Sequence, residues 1–247
     1  MTKTPKNWYR DFFVGAANKY WDSAISVERT LAECNFLTSI LPAGAELLDI
    51  PSGCGRLAKV LLERGFAVTA VDVSEENIAK LKHTVSSPKL TALVADMTEY
   101  VAFEKFAGAC CFGNSFNYFD FRLMKKFVGN VSKSLQKHSP FIVHSGVIAE
   151  SLLLNIEERT WHNVAGLNVL LEHSYNPLQS MLITDYTFIN DDGARHTKQI
   201  YHYVYTLAET KRIFADSGLK LRDVYSDTAG SDYVVGCPDC YLVAEKM

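Results

Sequence analysis

The sequence predicts an α/β chain, a doubly wound and mostly parallel sheet that carries an antiparallel β insertion. Three observations predict it. A strand, a glycine-rich turn and a helix follow one another between Glu46 and Leu62; continuous apolar runs then alternate with helical periodicity as far as residue 145; and from 160 to 205 the period changes to two. Buried runs alternating with helices belong to a parallel sheet covered on both faces, whereas strict alternation belongs to antiparallel strands with one face on a core.

The totals agree with one domain bearing an insertion. At 247 residues, 48% of them hydrophobic and 12% aromatic, the chain has ample material for a buried core. A formal charge of −3 offers no basic excess to a phosphate backbone, so nucleic acid is disfavoured as a partner. No run approaches the roughly 18 apolar residues of a membrane span, and Met1-Thr2-Lys3-Thr4-Pro5-Lys6-Asn7-Trp8 lacks the apolar core of a signal peptide, so no membrane is expected and the cytoplasm is the expected compartment. The cysteines at 34, 54, 110, 111, 237 and 240 are too scattered for a disulfide framework. Cys237-Pro238-Asp239-Cys240 has the spacing of a zinc or redox pair, but no second pair accompanies it and it precedes a strand, so no metal is expected.

Residues 7 to 21 read as one amphipathic helix with Trp8, Tyr9, Phe12 and Phe13 on one face and Tyr20 and Trp21 further on. Residues 26 to 41 form a second helix, capped by Ser26, with Leu31, Phe36, Leu37 and Ile40 inward. Residues 1 to 42 thus precede the sheet, and their aromatic face serves either core packing or a lid over the glycine loop. The core of residues 45 to 145 has strands at 45–50, 67–72, 90–95, 107–112 and 140–144, with helices near 55–64 and 120–136. Gly65 ends the first of those helices, and Ser74-Glu75-Glu76 caps and charges the one after the second strand. In the insertion, alternation at Val169 to Tyr175, Leu182 to Phe188 and Gln199 to Tyr205 gives about three strands, with Asp191-Asp192-Gly193 as a hairpin signal. Residues 206 to 247 complete the sheet: a capping box at Thr206-Leu207-Ala208-Glu209 opens a helix that Gly218 ends, and strands follow at 219–225 and 240–245.

Function is read from the first loop, where a strand end and a helix start meet and glycines allow a ligand close to the backbone. Gly53-Cys54-Gly55-Arg56-Leu57-Ala58 fits the dinucleotide pattern G-x-G-x-x-A, with Asp72 lying 19 residues beyond Gly53, where an acid takes ribose hydroxyls. A pyrophosphate, however, wants no negative charge beside it, and Asp49 stands immediately before the loop. S-adenosylmethionine carries an ammonium and a sulfonium and no phosphate, so acids at three successive strand ends, Asp49, Asp72 and Asp96, suit it better.

Here the chain resembles the class I SAM-dependent methyltransferases, whose Rossmann-like fold opens on an acid followed by a glycine-rich loop. Asp49-Ile50-Pro51-Ser52-Gly53-Cys54-Gly55 looks like that motif, although Pro51 stands where many members have the first glycine and removes an amide donor. The resemblance spans roughly residues 8 to 247. It implies cofactor contacts from Tyr9 of the lid, from Asp49, Pro51, Gly53 and Gly55, from Asp72 and Val73 at the ribose, from Asp96 and Met97 at the adenine, and from Gly113, Asn114 and Ser115 beside the methyl donor.

Methyl transfer from a sulfonium is an in-line displacement, so the protein contributes mainly by alignment and water exclusion. A general base is needed only for a protonated acceptor. His144 at the end of the fifth strand is the first candidate, ahead of Glu150, His173, His202, Tyr201 and Tyr203. A lid and an insertion over the cofactor make an enclosed aromatic pocket, which fits a small-molecule acceptor; a homodimer is compatible with it. The rival readings are an NAD-dependent oxidoreductase and a non-catalytic SAM-binding module. A nucleic-acid methyltransferase ranks low, because Gly113-Asn114-Ser115-Phe116 replaces the motif that flips bases.

Overall fold

In a computed structural model, described here for residues 4, 5, 7–190 and 192–247, eleven strands and eight α-helices form two sheets on a common core. Met1, Thr2, Lys3, Lys6 and Asp191, and with them part of the leader reading and part of the hairpin signal, lie outside the described residues.

Two short helices open the chain, α1 (Trp8–Phe12) and α2 (Ala16–Ala24), in place of the single helix expected over 7 to 21. Gly15, at φ 61° and ψ −122°, breaks the helical run. The Lys198 ammonium, reaching across from the insertion, donates to the carbonyls of Asp11, Phe12 and Val14 and satisfies the end of α1. Next comes α3 (Val27–Ile40), where Ser26 accepts from the Arg29 N–H as a cap should. Its buried face holds Thr30, Glu33, Cys34, Phe36 and Leu37, whereas Leu31, expected inward, is 41% exposed. Glu33 displaces it, because that carboxylate sits wholly inside between the guanidinium groups of Arg29 and Arg56.

The core alternates β1 (Glu46–Asp49), α4 (Arg56–Glu63), β2 (Ala67–Asp72), α5 (Glu75–Thr84), β3 (Leu90–Val94), β4 (Gly108–Cys111), α6 (Phe121–Ser134) and β5 (Pro140–His144). After α7 (Ala149–Leu152) the insertion supplies β6 (Arg159–Val164), β7 (Leu167–Asn176), β8 (Met181–Ile189) and β9 (Arg195–Tyr203), and α8 (Leu207–Asp216), β10 (Leu219–Tyr225) and β11 (Tyr241–Lys246) close the chain. The capping box is present in full: Thr206 Oγ1 accepts from the Glu209 N–H, and Glu209 accepts from the Thr206 N–H.

The main sheet runs β10-β11-β5-β4-β1-β2-β3, parallel throughout except for β11, which lies antiparallel to both neighbours. One face is covered by α3, α4 and α5 through Leu37, Leu61 and Leu81; the other is covered by α6 and α8 through Phe127 and Phe214. The aromatic residues of α1 and the inner faces of β7, β8 and β9 continue that second core, so the insertion and the opening helices share one apolar interior with the sheet.

The insertion is a four-stranded antiparallel sheet, β6-β7-β8-β9, one strand more than expected. Strand β6 shows no alternation because, as an edge strand, it is mostly exposed along its length. It is set by the two-residue turn Ala165-Gly166, both at positive φ, which closes the Val164–Leu167 pair.

Gly55 caps α4 from the left-handed region, φ 80°, and a Cβ built there would stand 2.4 Å from Leu81 Cδ1. Gly55→Ala is therefore expected to cost about 2 kcal/mol, from backbone strain and displacement of the Leu81 side chain. Thermal unfolding should show this as a fall in Tm of roughly 4–8 °C; an unchanged Tm would mean that the loop relaxes freely.

Candidate active site

Parallel strands leave their carboxyl ends at one edge of the sheet, and the chain crosses back between β1 and β4, opening a crevice there. The ends of β1 to β4, together with residues of α1 and α2, line a cavity that opens to solvent. Asp49, Pro51 and Gly53 line it from the first loop, and Asp72 and Val73 line it from the end of β2. Met97, Gly113, Ser115 and Tyr9 complete that part of the expected set.

Asp49 is wholly buried at the end of β1. Its Oδ1 accepts only a weak 3.5 Å bond from the Cys110 thiol, and its Oδ2 has no partner. Burial in this apolar setting pushes the carboxyl up to about 7, against the lowering effect of Arg56. Asp72 ties the site together: Oδ2 accepts from the Gly53 N–H and Oδ1 from the Ser74 N–H, both at 2.8 Å. Burial raises its pKa as well, opposed by those two backbone donors. The Asn77 side chain and the Val73 N–H act on it in the same direction as those donors. The cation lining the cavity, Arg56, is spent on Glu33 and Thr30. The site therefore presents carboxylates short of positive charge, which suits a cation and a diol and repels a pyrophosphate.

Four expected residues lie off the cavity wall. Gly55 caps α4 instead. The Asp96 carboxylate is saturated: the Thr98 N–H and hydroxyl donate to Oδ1, and Tyr9 and Arg10 donate to Oδ2 at 2.8 and 2.7 Å. Burial raises its pKa, but these donors outweigh it and hold the group below the usual carboxylate range. Asp96 therefore latches α1 over the end of β3. Asn114, in the left-handed region, accepts from the Gly146 N–H through Oδ1 and joins the loops after β4 and β5.

His144, expected as a general base, has both ring nitrogens engaged away from the cavity. The Gly113 N–H points at Nδ1 from 3.4 Å, which leaves the proton on Nε2 to donate to Asp239 Oδ1 at 2.8 Å. Arg29 reaches the same Asp239 oxygen at 2.9 Å, and His144 and Arg29 together hold the Asp239 carboxyl at about 2 despite its burial. This part-buried network positions the loop after β4. His202, another candidate, is fully enclosed on β9 and is pushed down to about 3 by burial and by His173. His173 bonds to Thr184, and Glu150 caps the start of α8 at the Leu207 N–H.

The structure adds cavity residues that periodicity did not single out as site residues, among them Asn18 and Asp22 of α2, Trp21 beside them, and Phe112 and Tyr118 flanking the loop after β4. The aromatic run Tyr20-Trp21 was the available signal, but it could not say which way the second helix faces. Asp22 is paired with Lys80 of α5. Among the described residues no helix is long and apolar enough to cross a membrane.

Comparison with known proteins agrees with this geometry. The sequence profile of the family described as "Methyltransferase domain" matches residues 47–138. Over 87 residues the chain is 34% identical to the putative methyltransferase YqeM of Bacillus subtilis (strain 168), a match covering 34% of this chain and 34% of that protein. In three dimensions it is similar to the CcbJ methyltransferase of Streptomyces caelestis, with a TM-score of 0.82 at 14% identity over 97% of this chain and 98% of that one. It is also similar to CalS10 of Micromonospora echinaspora, an amino pentose methyltransferase solved with SAM bound, with a TM-score of 0.69 at 16% identity over 90% and 92% of the two chains. Residues 47–138, with the cavity at their strand ends, thus match the methyltransferase-domain family, and the whole chain has the fold of the solved methyltransferases.

Proposed function

We propose that the protein transfers a methyl group from SAM to a nitrogen of a small polar molecule. The observation that carries the cofactor reading is the orphaned Asp49 Oδ2 in a cavity whose one lining arginine is already neutralised. Asp49 would face the ammonium of the cofactor, Asp72 the ribose diol, and Val73, Ala95 and Met97 the adenine. When bound, SAM supplies an electrophilic methyl on a sulfonium. The chain's own contribution is to hold donor and acceptor in line and to keep water out, and the aromatic residues Tyr9, Phe13, Trp21 and Tyr118 along the cavity provide that apolar cover.

The choice of nitrogen rests on the groups lining the cavity. None is a histidine, burial pushes Tyr9 up to about 12 and Tyr118 higher still, Asp49 and Asp72 are committed to the cofactor, and Asp22 is paired with Lys80. An alcohol would need a base that these residues do not offer, whereas an amine attacks in its neutral form. The amino pentose acted on by CalS10 is an acceptor of this kind.

The test has two stages. Thermal shift with SAM, S-adenosylhomocysteine and NAD should show stabilisation by the adenosyl compounds alone; stabilisation by NAD would overturn the reading. Transfer of labelled methyl from SAM should then occur to amino sugars and not to the corresponding hydroxyl sugars. The reverse preference would remove the nitrogen assignment and leave the methyltransferase reading.

A further inference from the structure

We infer that Arg29 of α3 is a positioning residue for the methyl-transfer site: it joins Glu33 to Asp239, and so links the loop after β1 to the loop after β4 by one continuous chain of polar contacts behind the cavity. This rests on the methyltransferase reading above and goes beyond it by assigning a role to a residue that lines no part of the cavity.

The chain of contacts starts at Arg56, which lines the cavity where α4 begins and donates through Nη1 to Glu33 Oε2. Glu33 is wholly buried, and its other oxygen takes Arg29 Nε at 3.0 Å from one helical turn earlier. Arg29 Nη2 then reaches Asp239 Oδ1 at 2.9 Å, where His144 Nε2 also donates at 2.8 Å. His144 Nδ1 faces the Gly113 N–H from 3.4 Å, and Gly113 lines the cavity again. The neighbours of Asp239 hold it in place. Cys240 and Ser145 exchange both backbone hydrogen bonds, and a Cβ built on Gly146 would stand 2.8 Å from the Pro238 carbonyl oxygen. The Cys237-Pro238-Asp239-Cys240 segment, conspicuous for its cysteines, thus serves to place a carboxylate.

Ion pairs taken out of water seldom stabilise more than apolar groups of the same volume, and the Arg29 side chain is 41% exposed, which weakens its pairs further. What the guanidinium supplies is shape. Its Nε and Nη2 lie in one rigid plane, so two carboxylates bonded to them are held at a set distance, which the single nitrogen of a lysine on a flexible stem does not do. Without Arg29, Glu33 keeps Arg56 and Asp239 keeps His144, so its removal uncouples the two loops and leaves no buried carboxylate alone. In-line transfer is sensitive to such a loss, because a displacement of about 1 Å can cost a hundredfold in rate.

The experiment compares wild type, Arg29→Met and Arg29→Lys, free and with S-adenosylhomocysteine bound. Both variants should bind S-adenosylhomocysteine within about threefold of wild type, since Asp49 and Asp72 are untouched. Amide hydrogen exchange of residues 112–116 should run about tenfold faster in both, with the amides of β1 and β2 unchanged. Methyl transfer from SAM to the amino sugar that wild type uses best should fall about tenfold in kcat, with KM for SAM nearly constant. The inference fails if Arg29→Met leaves the exchange of residues 112–116 as in wild type. It fails if Arg29→Lys exchanges and turns over like wild type, since charge alone would then suffice. It fails equally if exchange rises evenly along the chain, which is a general loss of stability, or if residues 112–116 loosen and kcat is unchanged. If S-adenosylhomocysteine does not bind wild type, the methyltransferase reading falls; if wild type methylates no amino sugar, the nitrogen assignment falls. In either case the exchange of residues 112–116 still decides whether Arg29 holds the loop.

Discussion

Replacing Asp72 with alanine should weaken SAM and S-adenosylhomocysteine by two orders of magnitude or more. The Asp72 carboxylate accepts the backbone donors of Gly53 and Ser74, which fixes the glycine loop against the end of β2, and the residue lines the cavity. Two hydroxyls of a ribose donating to an ionised acceptor are worth about 1.5–3 kcal/mol each, so losing both corresponds to at least about a hundredfold in Kd. Thermal stability of the free protein should change much less, because removing a buried charge offsets part of what the lost loop bonds cost. Asp72→Asn, which keeps one acceptor for the loop, should fall between. Calorimetric titration reads the effect directly, and an affinity unchanged in Asp72→Ala would remove the ribose from this position.

Asp49→Asn should separate stability from binding. The carboxyl titrates at about 7 in the folded chain against 3.8 ordinarily, so folding favours its protonated form. Its contribution to stability is complete below about pH 4, declines as pH rises towards 7 and is constant above that. At 1.36 kcal/mol per tenfold preference, the ionised group costs the free protein up to about 4 kcal/mol. Asp49→Asn removes that cost, so without ligand the variant should melt higher than wild type at pH 8, and the difference should shrink as pH falls.

Binding should move the other way. A cation favours the ionised carboxylate, so wild-type affinity for SAM should tighten between pH 5.5 and 7.5, with a proton released on binding. Asp49→Asn should bind more weakly at pH 7.5 and show no such slope. Titration in buffers of different ionisation enthalpy measures the released proton. A wild-type affinity flat across this range would mean that Asp49 does not face the cation.

How much was legible in advance depended on where each signal lies. The cap at Ser26, the capping box at Thr206 and Glu209, and the strand-turn-helix at Asp49 to Gly55 depend on residues a few positions apart, and each is present in the structure. The break at Gly15 was not legible, because the aromatic spacing continues through it and the carbonyls it frees are satisfied by Lys198, more than 180 positions away. Strand β6 was missed because an exposed edge strand has no buried face to impose alternation. Leu31 was placed inward by its apolar character, whereas the interior at that turn belongs to Glu33, held by two arginines.

By itself, the sequence determined the order of strands and helices, the acid at each of three successive strand ends and the glycine loop that marks the cavity. These follow from backbone propensity and local periodicity, which act within one or two turns of chain. The tertiary structure decided which of those residues meet. Tyr9 and Arg10 close on Asp96 across more than 80 positions, His144 turns to Asp239 across 95, and α2 brings Asn18 and Trp21 to the cavity that Asp49 begins. Hydrogen bonding and burial depend on distance in space, and long-range packing sets that distance.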